Sequence, residues 1–87
     1  MSEVIIKVQV FPHVPAKQVS NFAGYNETVT SVVATADCGE VVYSSGEYIV
    51  DQAVEKLEGF TREDVIAATK REVLRELTVN LVANGVL

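Results

Sequence analysis

The sequence predicts an α+β fold, a small sheet of three strands with helices packed on one of its faces. Three observations carry that expectation. Residues 4–11 (VIIKVQVF) alternate apolar and polar with the period of a strand. Two Val-rich runs follow, separated by a turn at Gly39. From Thr61 onward, apolar residues recur at helical spacing almost to the end of the chain.

In the first strand Val4, Ile6, Val8 and Val10 share a face opposite Lys7 and Gln9, so one side is buried. Pro15 suits the first position of a short helix, Val19, Phe22 and Ala23 fall at i, i+3 and i+4, and Gly24 suits its end; the expected helix covers residues 15–23. Residues 28–36 and 40–43 read as a hairpin in which Gly39 takes the positive φ of a bulged turn. Ser44-Ser45-Gly46-Glu47 has the form of a capping box, and Ile49, Val50, Ala53, Val54 and Leu57 give a second helix its apolar face. For the third helix, Thr61 is the N-cap, Glu63 and Asp64 suit the dipole, and Phe60 with Val65 form a hydrophobic staple. Ile66, Val73, Leu74, Leu77 and Leu81 line its core face, with Gly85 as the stop. Lys70 falls in that same sector and has to snorkel or find an acid.

The resulting order is β-α-β-β-α-α. If residues 78–84 (TVNLVAN) were extended, the order would become the ferredoxin-like β-α-β-β-α-β. The 87 residues make one domain, 1–87. A core this small leaves a thin margin of stability, for which self-association is a common remedy.

Charge narrows the range of functions. From Asp37 to Asp64 eight acids face only Lys56 and Arg62, an excess of six negative charges in a chain whose net charge is −5. Nucleic-acid binding needs a basic stripe to displace phosphate counterions, and anionic lipid surfaces need the same, so neither is the expected partner. A basic protein surface is. The lone Cys38 rules out an intrachain disulfide and points to a reducing, cytoplasmic setting. The first ten residues lack the basic and apolar regions of a signal peptide, and no apolar run is long enough to span a membrane. Asn26-Glu27-Thr28 matches a glycosylation acceptor, which has no role without a secretion signal.

The sequence holds no nucleotide loop, zinc-protease, nucleophile-elbow or calcium-loop pattern, so no cofactor, metal or catalytic residue is expected. His13, in Phe11-Pro12-His13-Val14-Pro15, is the single histidine and reads as an ordinary loop residue; a His13–Cys38 pair is the one catalytic arrangement on offer. Cys38 lies between Asp37 and Glu40, acids that would raise a thiol pKa and blunt its reactivity.

The most distinctive stretch is EYIVDQAVEKLE. On a helix, Glu47, Asp51, Glu55 and Glu58 would form a carboxylate ridge about 16 Å long, away from the apolar side chains. Like charges at i,i+4 repel, so a docking surface for a basic partner is the functional expectation, set against a merely solvated face answered by Arg71 or Arg75. Val65, Val79, Val82 and Ala83 lie off the core face of the last helix and mark it for self-association. Three functional classes follow: an acidic interaction module, for example an inhibitor occupying the nucleic-acid groove of its partner; an oligomeric assembly subunit such as a component of a viral particle; or a small enzyme or ligand-binding domain using His13 and Cys38.

Overall fold

In the computed structural model, which describes residues 3–18 and 27–87, three antiparallel strands form one sheet and a long C-terminal helix lies across it. The strands are β1 (Ile5–Pro15), β2 (Thr28–Asp37) and β3 (Val42–Val50), in spatial order β1-β2-β3. A single turn, α1 (Asp51–Val54), leads to α2 (Arg62–Ala83). The molecule is an α+β domain, as expected.

The central strand carries the core. Val32, Ala34 and Ala36 on one face of β2 are fully buried, opposed by Val73, Leu77 and Leu81 from α2. The alternation foreseen in the first strand supplies the flank through Val4, Val8 and Val10, while Ile6, paired with Ala36 near the end of the sheet, stays 48% exposed. On the other side Tyr43 and Ile49 of β3 pack on the same cluster. Small alanines beneath a helix let its axis approach the sheet, so a thin core still closes.

β1 is an edge strand, which is why it tolerates two prolines. Between Phe11↔Ser31 and Val14↔Val29 it advances three residues against two, a bulge that holds Pro12 and His13. His13 sits there with φ 56°, the left-handed region that histidine enters more readily than most residues. Gly39, at φ 94°, turns the β2–β3 hairpin as expected, and the Asp37 carboxylate accepts its N–H at 2.9 Å.

α2 begins with a capping box. Thr61 Oγ1 accepts the Asp64 N–H at 3.1 Å, and the Asp64 carboxylate accepts the Thr61 N–H at 3.0 Å. It ends in a Schellman motif at Gly85 (φ 74°), where Val86 N–H donates to Leu81 O at 2.9 Å and Gly85 N–H to Val82 O at 3.1 Å. Residues 78–83 are therefore helical, and the ferredoxin-like alternative with a final strand is set aside.

Two expected elements are corrected. Pro15 closes β1 instead of opening a helix, and Ala16–Gln18 make a single 3-10 turn; the rest of the expected helix, from Val19 to Gly24, and Asn26 lie outside the described residues. Of the expected helix from Glu47 to Glu58, residues 47–50 are strand, Asp51–Val54 is helical and residues 55–58 are neither. Residues 42–50 pair one for one with β2 from Asp37 back to Val29. A helix of twelve residues is marginal alone, whereas a strand beside β2 gains a full ladder of hydrogen bonds on a surface that is already buried. Ser44 and Glu47 accordingly form no cap; Ser45 Oγ donates instead to Glu76 at 2.8 Å. Phe60, expected in a staple, stays 64% exposed, and Lys70 is exposed because the sheet lies beneath the C-terminal half of α2.

Leu77 is 1% exposed at the centre of the core, so Leu77→Ala should lower unfolding free energy by about 2–5 kcal/mol. Val79→Ala, on the outer side of the same helix, should change it by less than about 0.5 kcal/mol. Urea denaturation of both variants compares them directly.

Candidate functional site

Two groups of side chains stand out. The first surrounds Asp51, a carboxylate 2% exposed at the start of α1. Its Oδ1 accepts from Thr30 Oγ1 at 2.7 Å and from the Arg62 guanidinium at 2.8 Å. Its Oδ2 accepts from Thr28 Oγ1 at 2.6 Å and from His13 Nδ1 at 3.2 Å. Arg62 also hydrogen-bonds to Thr30 Oγ1, and Gln52 Oε1 accepts the Thr28 N–H at 3.2 Å. One carboxylate thus joins the bulge of β1, the start of β2, α1 and the first residue of α2.

Burial by itself would push the Asp51 carboxyl up; hydrogen bonds from Thr28, Arg62, Thr30 and His13 outweigh it and hold the group well below the usual carboxylate range. An ionised carboxylate only accepts, so His13 must carry its hydrogen on Nδ1, which leaves Nε2 as the free ring nitrogen on a side chain 66% exposed. His13 is therefore not an ordinary loop residue, and it has the orienting acid that the sequence did not reveal. Cys38 is not its partner. Cys38 follows Asp37, which pairs with Ile5, so the thiol lies at the far end of the sheet, roughly 25 Å from His13 at strand spacing. Cys38 is a half-buried turn residue whose thiol faces Ala36 O at 3.9 Å.

The second group lines a cleft of about 850 Å³ between β3 and the N-terminal half of α2. The buried residues of α2 begin at Val73; before it, the small Ala67 and Ala68 face a space instead of the sheet. Tyr48, Ile49, Leu57, Phe60 and Val65 supply apolar walls. Glu47, Asp64 and Glu72 bring carboxylates to the cleft, together with Arg71. Repulsion from Glu76 raises the Glu47 carboxyl above its usual value, aided by desolvation, by a hydrogen bond with Glu76 that favours the protonated form, and by Glu72. No cation among the described residues forms an ion pair with Glu47; Arg75 is taken by Glu72 at 2.5 Å, and its hydrogen bonds hold that carboxyl low.

The expected carboxylate ridge does not form. Glu47 lies on β3, Asp51 is buried and fully engaged, and Glu55 and Glu58 are exposed in the turn after α1. The acids that do gather are Glu47, Glu72 and Glu76, brought together by the packing of α2 on β3, which sequence spacing could not register. Arg62 did leave a signal: a cation at the first position of a helix opposes the dipole and calls for an acid elsewhere. Of the residues expected to self-associate, Val79 and Val82 are 60% and 57% exposed, whereas Val65 is half-buried in the cleft.

No three His, Cys, Asp or Glu side chains gather as metal ligands among the described residues, and none of the described helices is long and apolar enough to cross a membrane. Comparison with family models, with curated proteins and with solved structures finds no match.

Asp51→Asn should cost about 3–5 kcal/mol, because it leaves the Arg62 charge half-buried without its counter-ion. A depressed folded-state pKa contributes stability that is complete above the unfolded value, about 3.9, and is lost as pH falls toward the folded value. Wild-type stability should therefore drop between about pH 5 and pH 2, and acid titration of the Asn variant should show a shallower drop. Glu47 has the opposite sign: its raised pKa means that ionisation weakens the fold as pH rises from the ordinary glutamate value through the higher folded one. Glu76→Gln should bring the Glu47 carboxyl down toward its ordinary value, read by carboxyl-carbon NMR titration.

Proposed function

We propose that the protein is a non-enzymatic interaction module whose β3–α2 cleft receives a partner segment carrying both basic and apolar side chains. The observation that supports this reading is the gathering of Glu47, Glu72 and Glu76 beside an apolar cleft, where like charge sets them against one another. No cation among the described residues forms an ion pair with Glu47. A lysine or arginine from outside would relieve that repulsion, and apolar neighbours would fill the space beside Tyr48, Leu57 and Phe60. β3 is also an edge strand, and its outer side carries the unpaired backbone groups that an extended segment takes up when it adds to a sheet.

This reading keeps a basic protein surface as the partner and moves the contact from the supposed helical ridge to the cleft. It makes the protein a docking module, and an inhibitor wherever the captured segment is one that the partner needs for its own work. Glu55 and Glu58, exposed beside the cleft residue Leu57, add to the negative field that steers a basic segment inward.

Panning the full chain against a displayed library of random peptides tests the proposal. Selected peptides should combine Lys or Arg with large apolar residues, bind at least tenfold more weakly to the Glu47→Gln, Glu76→Gln double variant, and weaken steeply as salt rises. Peptides without basic residues, or peptides that the double variant binds equally well, would sink it.

A further inference from the structure

The two edges of the sheet are built differently. β1 carries Pro12 and Pro15 and a bulge at His13, devices that keep a strand edge from pairing with another chain. β3 has no proline, and its register with β2 runs without a break from Val42 to Val50. The parity of that ladder shows which backbone groups the second edge offers. Cys38 N–H donates to Val41 O at 3.0 Å across the hairpin turn, and Thr28 N–H, at the other end of β2, turns to Gln52. Bonded and non-bonded pairs alternate along an antiparallel ladder, so Ala36↔Tyr43, Ala34↔Ser45, Val32↔Glu47 and Thr30↔Ile49 are the bonded ones. Val42, Ser44, Gly46 and Tyr48 therefore direct their N–H and C=O groups away from β2. Gly46 is exposed, and without a side chain what it exposes is backbone.

Those groups open on the cleft. Side chains alternate between the two faces of a strand, yet Glu47, Tyr48 and Ile49 line the cleft in succession, so it reaches the strand edge itself. Tyr43, Ser45, Glu47 and Ile49 turn toward α2, on the face of the buried Val32, Ala34 and Ala36. There Glu47 meets Glu72 and Glu76, and Ile49 lines the cleft with Leu57, Phe60 and Val65. On the opposite face, between residues 31 and 37 of β2 and their register partners, Lys7 and Asp37 are the charged residues, so that face is neutral.

We infer that the segment received by the cleft binds as a fourth strand on the outer edge of β3, an inference that rests on the docking proposed for that cleft. Its backbone pairs with Ser44, Gly46 and Tyr48. The partner thereby acquires a form: an extended segment in which a Lys or Arg opposite Glu47 stands two positions from a large apolar residue opposite Ile49. A strand places side chains at that spacing on one face. The intervening residues lie over the neutral face and need no charge. The same acids decide against a second copy of β3 as the occupant, because pairing two such edges would bring the carboxylates of both chains to one seam.

Peptides selected on the full chain test the mode of binding apart from binding itself. Methylating single backbone nitrogens of a selected peptide should weaken binding at least tenfold at alternate positions and far less at those between, because every second residue of an added strand donates to β3. In amide hydrogen exchange followed by NMR, Gly46 and Tyr48 should slow at least tenfold on saturation with the peptide. Glu47 and Ile49, already bonded to β2, should change little. Methylation losses without a period of two, or Gly46 and Tyr48 amides that exchange as in the free protein, overturn strand addition. Binding that in such a case still falls with Glu47→Gln and Glu76→Gln leaves the docking reading standing, so the two fail separately. A library that yields no binding peptide overturns both.

Discussion

The fold hangs on one buried carboxylate. Hydrophobic contact between α2 and β2 supplies the core, but it involves only the C-terminal half of the helix, from Val73 to Leu81. The other end of α2 is fixed by Arg62, and Arg62 is fixed by Asp51. Without that ion pair the first turns of the helix would have little to set their distance from the sheet. Asp51 also draws on Thr28, Thr30 and His13, so the same group fixes the bulge in β1. Replacing such a network with apolar residues often costs little, whereas removing one member costs much, because what remains is buried charge. Its value here is geometric: four separate segments are held in one arrangement by a single side chain.

The cleft follows from that arrangement. A helix pinned to the sheet by apolar contact at one end and by an ion pair at the other spans the interval between them, and Ala67 and Ala68 are too small to fill it. Packing α2 over β3 also brings Glu72 and Glu76 to Glu47, a repulsion the fold sustains because its core and the Asp51 network outweigh it. The cleft and the crowding of carboxylates beside it therefore have one origin, the way α2 is set on the sheet.

Much of this was legible in the residues, and what was missed has a physical reason. The alternation of Val4, Val8 and Val10, the turn at Gly39, the Thr61 cap and the Gly85 stop are local signals, and local signals decide elements whose backbone bonds close within a few residues. Residues 44–50 carried a local helix signal that lost to a non-local one, the ladder offered by β2. The carboxylate ridge fell with the helix. The role of His13 was out of reach for a related reason: its partner lies 38 positions away and meets it only because β1 bulges there. Arg62 was the exception, since a cation set against a helix dipole is a local anomaly that implies a distant acid.

The division of charge gives the molecule its sidedness. The open face of the sheet is neutral, and the acids crowd the edge where β3 meets α2. By the strand register Tyr48 stands on the neutral face while Glu47 beside it turns toward α2, so neighbouring residues of one edge strand divide the two surfaces between them.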